Sequence, residues 1–405
     1  MSRWNAVAQR GFIIVAAVAC AVFAPFSIAF AGTIRIVTYN IEADTGGFTT
    51  ARPGMTTVLE GIGNEVLNGV AQRIDILCLQ ETTSNATTVA PMVNDLNTLY
   101  NSTIYAQSPY QALVSGSPTS GNGPNALIYN ATTLQLVSSV GIGTPSSSAA
   151  PRQPVRYQFH PIGGSANSDF YVYTSHMKAG TQSSDMNRRN IEAQLLRTDE
   201  LTLPAGSRVM YTGDLNMTAS TEAAYVTLLA AGNGQGFDPL NMPGSWGLNP
   251  AFQAILTESA TDLRYRDDFE LITQNVLSDP NGLEIVPGTY HTFGVNGSTA
   301  IHGTVNSGTN TALPGLPNRA AVLSALTTAS DHLPVVADYY VNTDPPPCPP
   351  DLDGNRQVDL SDLSIVLANY GLNPATAAQG DLDGNHVVDL SDLSIMLSAY
   401  GSLCP

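Results

Sequence analysis

Positive charge is scarce in this chain. Its 405 residues include 16 Lys and Arg against 33 Asp and Glu, for a formal net charge of −17, and only 12% of residues are charged. Lys178 is the one lysine. No basic stripe is visible, which argues against a protein that coats nucleic acid through its phosphates, and the overall field repels polyanions. A phosphate ester bound here would need metal ions to supply much of the positive charge. No G-x-S-x-G stretch occurs, so a serine nucleophile on a strand-to-helix elbow is not expected. Long apolar runs are missing too. "GFIIVAAVACAVFAPF" (11–26) is too short and too interrupted to read as a membrane span.

That run reads instead as the core of an export signal. Arg3 and Arg10 precede or flank it, and "AFA" at 29–31 fits a small-residue cleavage site, placing the mature start near Gly32. "AVAC" at 17–20 partly resembles a lipoprotein signal, which leaves lipid anchoring through Cys20 as the alternative to free secretion. Export permits disulfides. Of four cysteines, Cys20 leaves with the signal, and Cys78 lies in the apolar run "IDILCLQ" as an expected buried thiol. Cys348 and Cys404 bracket one segment and are expected to pair.

The stretch "NTDPPPCPP" (342–350) reads as a stiff spacer. Beyond it the chain repeats with a period of 30 residues: "DLDGNRQVDLSDLSIVLANYG" from Asp351 and "DLDGNHVVDLSDLSIMLSAYG" from Asp381. Each copy carries oxygen-bearing side chains at loop positions 1, 3, 5, 9 and 12: Asp351, Asp353, Asn355, Asp359 and Asp362, then Asp381, Asp383, Asn385, Asp389 and Asp392. Calcium takes six to eight oxygens, and a 12-residue loop with this spacing supplies them. Every acidic residue after Cys348 falls on such a position, so two bound Ca²⁺ ions are expected. An amphipathic helix should follow each loop, through Leu363, Val366, Leu367 and Tyr370 and through Leu393, Met396, Leu397 and Tyr400. Position 12 is Asp rather than Glu, and the loop glycine stands at position 4. The paired loop–helix segments over 351–401 resemble a type I dockerin module. That resemblance implies a cohesin partner, but Leu360–Ser361 and Leu390–Ser391 replace the two small polar residues common at the partner-selecting positions, which counts against one.

Between these ends, 32–341 alternates short apolar strands with helical stretches, with helices expected at 55–72, 86–100, 184–201 and 219–231. Polar side chains recur at strand mouths, where α/β folds gather ligand-contacting groups: Asn40, Glu81, His176, Asp214, Asn216, Asp268, Asp331 and His332. Carboxylates suit a hard cation, amides position oxygens, and imidazoles move protons. The ordered segments "TYNI", "LQET", "TSHMKAG", "GDLN", "RDDF" and "SDHLPV" resemble the endonuclease/exonuclease/phosphatase superfamily over almost all of 33–341.

The resemblance implies a four-layer α/β sandwich, two mixed β-sheets flanked by helices, and a site that hydrolyses phosphate esters with Mg²⁺ or Mn²⁺. By the same resemblance Glu81 and Asp331 serve the metal. Asn40 and Lys178 contact the phosphate, Lys178 within a segment like the family's "HLK". His176, Asp214, Asn216, Asp268 and His332 form the catalytic set, with Asp268 orienting His332. The expected organisation is a signal at 1–31, a catalytic domain at 32–341, a linker at 342–350 and a dockerin-like all-α module at 351–405. The expected activity is that of an extracellular nuclease acting on nucleic acid. Sphingomyelin or phospholipid phosphodiesterase and small phosphomonoesterase are the alternatives, and a non-catalytic calcium-dependent anchoring protein is the rival of another class. Asp267 reads as a solvated neighbour of Asp268. His291 and His302 lie in a loop expected near the site mouth. Trp246, Tyr290 and Phe293 are open to two readings, substrate stacking or burial in the core.

Overall fold

The computed structural model describes residues 30–165, 168–278, 282–342 and 348–404. All but the last two residues of the expected export signal, and much of the proline-rich stretch, lie outside them. The described residues belong to two compact units, divided near Pro346–Pro347.

In chain order the strands of the larger unit are β1 (Phe30–Asn40), β2 (Val66–Leu67), β3 (Val70–Ala71), β4 (Ile74–Gln80), β5 (Tyr105–Gln107), β6 (Ala126–Asn130), β7 (Leu134–Gly141), β8 (Val155–Pro161), β9 (Phe170–His176), β10 (Arg208–Asp214), β11 (Gly236–Phe237), β12 (Asp268–Thr273), β13 (Leu283–Ile285), β14 (His291–Thr292) and β15 (Val335–Asn342). Its helices are α1 (Met55–Asn64), α2 (Ala90–Leu99), α3 (Ser183–Glu200), α4 (Ala223–Leu228), α5 (Gln274–Leu277) and α6 (Arg319–Ala329). One sheet runs β13-β15-β1-β4-β6-β5 with β14 on β15, and the other runs β11-β12-β10-β9-β8-β7. Both are mixed: β1–β4 and β9–β10 are parallel, while β1–β15 and β10–β12 are antiparallel.

Side chains alternate along a strand, so each sheet has an inner and an outer row. Ile34, Ile36, Ile76 and Cys78 of one sheet pack on Phe170, Val172, Met210 and Ile272 of the other. The outer rows, Val37, Tyr39, Leu77 and Leu79 on one side and Tyr173, Val209, Tyr211 and Phe269 on the other, meet residues of α1, α2 and α6 and of α3 and α4 respectively. These are the four layers of the α/β sandwich. Cys78 is a free, buried thiol in its middle.

Two helices are shorter than their apolar spacing predicts. α1 ends at Asn64 because Asn68 and Gly69 both take positive φ, 49° and 83°, and close the β2–β3 hairpin. That is the turn a two-residue hairpin favours. The helix expected over 219–231 is confined to α4, since Ala219 instead bridges Ser245. The last strand begins at Val335, which leaves Ser330–Pro334 free to carry side chains into the site.

One inner-row acid is buried in the inter-sheet core. Glu270 accepts the Tyr339 hydroxyl at 2.7 Å through Oε2, while Oε1 has no partner. Burial pushes its pKa up to about 7, against the pull of the Tyr339 hydrogen bond. A carboxyl raised on folding contributes stability that is fully present below its unfolded pKa and is lost as pH rises through the folded value. Glu270→Gln is therefore expected to raise the stability of the larger unit at pH 8.5 by on the order of 2–3 kcal/mol, and much less at pH 5. Urea midpoints at the two pH values check this.

In the smaller unit each loop leads into a helix, α7 (Leu360–Ala368) and α8 (Leu390–Ala399). Val358, Val366, Ala375, Val388, Met396 and Cys404 form its core. Cys348 and Cys404 are joined by a disulfide. The expected apolar helix faces are only partly buried: Leu367, Tyr370, Leu397 and Tyr400 are exposed.

Candidate active site

The inner rows of the two sheets end in polar residues at one edge of the inter-sheet core. Even-numbered positions of β1, β4, β9, β10 and β12 face inward, and these rows terminate in Asn40, Gln80, His176, Asp214 and Asp268. The antiparallel partners begin where the parallel strands end. Asp268 opens β12 opposite Asp214, and β15 opens opposite Thr38, which places His332 beside the end of β1. Residues far apart in sequence therefore meet because they share one face and one edge.

The contacts are short. Asn40 Nδ2 donates to Glu81 Oε1 and to Asp214 Oδ2, each at 3.0 Å. Asn216 Nδ2 donates to Asp214 Oδ1 at 2.6 Å and to the Met177 carbonyl at 3.3 Å. His176 Nε2 stands 3.2 Å from Asp214 Oδ2, and His332 Nδ1 stands 2.6 Å from Asp268 Oδ2. His332 Nε2 thereby faces inward, 3.9 Å from both Asp214 Oδ2 and Asp331 Oδ1. Ser330 Oγ ties the segment down, donating to the Asn40 carbonyl at 2.7 Å and accepting the His332 N–H at 3.0 Å. Glu81 and Asn216 hold left-handed backbone, φ 56° and 53°. Non-glycine residues rarely adopt that conformation, and such outliers gather at functional sites.

Burial sets the charge states. It pushes Asp214 up to about 6 despite the nearby His332, and Glu81 up to about 8. The two histidines move apart. Burial disfavours charge on His332, but Asp268, Asp214 and Asp331 outweigh it and hold the imidazolium well above its usual range. His176 is driven well below that range, first by burial and then by the cations Arg152 and His332. One imidazole is thus a proton donor near neutrality and the other is neutral.

Donor atoms of Glu81, His176 and Asp214 lie within 4.8 Å of one another, as do those of Asp214, Asp268 and His332. Asp268 Oδ1 and His176 Nδ1 are buried without a partner. Such a crowd of buried carboxylates is costly unless a cation shares it. The donor set therefore fits a divalent metal, and Glu81 and Asp214 are the carboxylates that would offer it oxygens. Asp331, expected beside the metal, belongs to neither cluster, and its side chain is half-exposed.

Other singled-out residues have partners of their own. Lys178 Nζ lies 3.2 Å from Asp185 Oδ1, the acid in the first turn of α3. Asp267 is buried rather than solvated, and its carbonyl accepts the N–H groups of Leu215 and Asn216. His291 pairs with Glu65 at 3.1 Å and His302 with Asp262 at 2.8 Å. Trp246, Tyr290 and Phe293 are buried in the core, with no face for a substrate.

Arg152, which no strand-mouth pattern marks, is 7% exposed. Its Nη1 donates to the Met177 carbonyl at 3.2 Å and its Nη2 to the Gly121 carbonyl. Asp214, Glu81, Glu192 and Asp44 surround it electrostatically. It precedes β8 instead of ending a strand, so the strand-mouth pattern could not find it. Glu42 is a second residue outside that pattern. Its Oε2 accepts the Asp331 N–H at 3.2 Å and its Oε1 pairs with Arg52 at 2.6 Å.

Comparison with known proteins bears on the whole larger unit. Among solved structures the chain is similar to the human nocturnin catalytic domain, with 18% identity, a TM-score of 0.45, and coverage of 78% of this chain and 96% of that one. It is likewise similar to D. rerio TDP2 complexed with single strand DNA product, with 14% identity, a TM-score of 0.44 and coverage of 76% and 98%. For the Bacteroides thetaiotaomicron VPI-5482 mannosyl-6-phosphatase the values are 13%, 0.42, and 76% and 99%. No curated protein matches the sequence. The profile of the Endonuclease/Exonuclease/phosphatase family matches residues 37–332, from the third-last position before Asn40 to His332 itself. The chain belongs to that family, and it is a metal-dependent phosphoric ester hydrolase.

Proposed function

We propose that this enzyme is secreted and cleaves phosphodiester bonds of nucleic acid, and that its smaller unit is a dockerin-like calcium-binding module. The observation that carries the catalytic reading is the pair of histidines around Asp214: His176 Nε2 at 3.2 Å from its Oδ2, and His332 Nε2 at 3.9 Å with Nδ1 held by Asp268. Glu81 and Asp214 would hold a divalent cation, which supplies neutralisation of the non-bridging and leaving oxygens of the phosphate. His332, fixed by Asp268, presents Nε2 as the proton donor to a phosphate oxygen as charge develops there. Asp214 is placed to orient a water and take its proton. Asn40 spends both amide hydrogens on Glu81 and Asp214, so it acts by holding these two carboxylates together.

The rim favours a substrate with bases. Phe48 is 37% exposed and is the exposed aromatic of the larger unit among the described residues. The Arg52 guanidinium lies 4.9 Å from its ring centre and pairs with Glu42, which in turn holds Asp331. An aromatic ring with a guanidinium beside it suits base stacking.

The test is hydrolysis of DNA, RNA, sphingomyelin and small phosphomonoesters with Mg²⁺. Cleavage of DNA or RNA is expected, lost in EDTA and reduced at least 100-fold in Glu81→Ala, in the range of a lost electrostatic contribution to the transition state. Turnover of sphingomyelin or phosphomonoesters alone would overturn the nucleic-acid reading. Equal rates in wild type and Glu81→Ala would overturn the site.

A further inference from the structure

Asp44 lies in the segment leaving β1 and is 5% exposed. The 120–122 loop holds it on two sides. The Asn122 N–H donates to Asp44 Oδ2 at 2.9 Å, and the Ser120 N–H donates to its carbonyl at 2.9 Å. Between those amides Gly121 covers Glu81 so closely that a Cβ there would lie 3.8 Å from Glu81 Oε1. Glu81 in turn accepts the Ala43 N–H through its carbonyl at 3.1 Å. One loop thus clamps both acids, and the charge of Asp44 adds to the burial that raises the pKa of Glu81.

Asp44 Oδ1 is buried and meets no donor. No hydrogen bond joins it to the nearby Arg152, whose Nη1 and Nη2 donate to the carbonyls of Met177 and Gly121. Two neighbouring buried carboxyls repel unless a proton or a cation sits between them. Each must also recover the cost of leaving water. Oδ2 has its amide partner, so the atom left to bind something is Oδ1.

We propose that Asp44 is a further carboxylate ligand of the divalent cation that Glu81 and Asp214 would hold, with Oδ1 as its donor atom. This rests on the metal-dependent reading of the site. Asp44 would serve beside the expected Asp331 and not in its place: both lie outside the converging donor groups and both have a buried Oδ1 without a partner, but Asp44 is 5% exposed where the Asp331 side chain is half-exposed. Hard divalent cations favour such paired carboxylate oxygens.

The experiment measures Mn²⁺ binding to the full-length chain by electron paramagnetic resonance, with Ca²⁺ present to fill the C-terminal loops, for wild type, Asp44→Asn and Glu81→Gln. Asp44→Asn keeps an oxygen for the Asn122 amide. It is expected to weaken Mn²⁺ binding about tenfold, and to raise the Mg²⁺ concentration for half-maximal hydrolysis in step. Glu81→Gln should weaken binding at least as much. Wild-type affinity in Asp44→Asn, with weakened binding in Glu81→Gln, overturns the role of Asp44 and leaves the metal site standing. Wild-type affinity in Glu81→Gln overturns the metal site and the Asp44 role with it. Should Asp44→Asn fail to fold, Asp44→Cys carries the test, because a thiolate ligand moves preference from Mn²⁺ toward Cd²⁺. An unchanged Cd²⁺ to Mn²⁺ preference in that variant overturns the proposal.

Discussion

Replacing His332 by alanine is expected to lower kcat about 10³-fold near neutral pH, within the span of a lost general acid. The imidazole is placed for that role by its partner. Asp268 takes Nδ1 at 2.6 Å, so Nε2 is turned toward Asp214 and the space where a phosphate oxygen would stand. The same partner governs its charge. Burial alone would discharge His332, and the carboxylates of Asp268, Asp214 and Asp331 reverse that and hold the proton well above the ordinary histidine range. An acid must be protonated to act, so activity should persist as pH rises past neutrality and fall only when His332 loses its proton. Asp268→Asn removes the largest of the opposing charges. The alkaline limb of its pH–rate profile should therefore move to lower pH, with kcat falling more than KM changes. A pH–rate profile of Asp268→Asn that coincides with wild type on the alkaline side would show that Asp268 does not set the charge of His332.

Much of this arrangement is legible in the sequence because period two is legible. Once "TIRIVTYN", "IDILCLQ", "FYVYTSH" and "RVMYTGD" are read as strands, the terminal polar residue of each inner row is fixed in face and in end. The structure confirms that Asn40, His176 and Asp214 share both. His332 is legible differently, since it precedes its strand and enters the site only because β15 runs antiparallel to β1. What period two does not encode is where long polar side chains turn. Lys178 follows His176 closely, and its Nζ pairs with Asp185 of the next helix. Arg152 and Asp44 lie on no strand, and loop backbone sets their positions: Met177, Gly121 and Asn122. The overlong helix expected after Met55 has the same origin. Apolar spacing runs on past Asn64, but the two positive-φ residues Asn68 and Gly69 turn the chain into a hairpin.

Withdrawing calcium from the smaller unit is expected to accelerate its proteolysis about 100-fold or more. The unit has little else to hold it. Its core consists of five apolar side chains and Cys404, and a domain of this size buries too little to be secure without a staple. Its charge is nearly all of one sign: Asp351, Asp353, Asp359, Asp362, Asp381, Asp383, Asp389 and Asp392 stand against Arg356 and the imidazole of His386. In each loop three of the acids converge, with donor oxygens of Asp351, Asp353 and Asp362, and of Asp381, Asp383 and Asp392, within 4.8 Å of one another. Asp359 and Asp389 cap α7 and α8 instead, accepting the N–H groups of Ser361 and Ser391. Asp362 and Asp392 are buried and gather loop amides, those of Leu352, Asp353 and Asp359 in one copy and Leu382, Asp383 and Asp389 in the other. Burial raises their pKa, the amides lower it further, and the net shift is downward. Their contribution is therefore present above the unfolded carboxylate pKa and is lost as pH falls through the folded one. The loops are preshaped, but like charges converge in them. A ligand at a hundred times its Kd stabilises the folded state by about 2.7 kcal/mol per site, a factor of about 100 in the population open to a protease. The check is limited proteolysis with Ca²⁺ and with EGTA, read on reducing gels because the Cys348–Cys404 bond holds cut fragments together. Asp362→Ala and Asp392→Ala should each bring the calcium-loaded protein toward the EGTA rate. Identical cleavage of 348–404 with Ca²⁺ and with EGTA would remove calcium from the account of this unit.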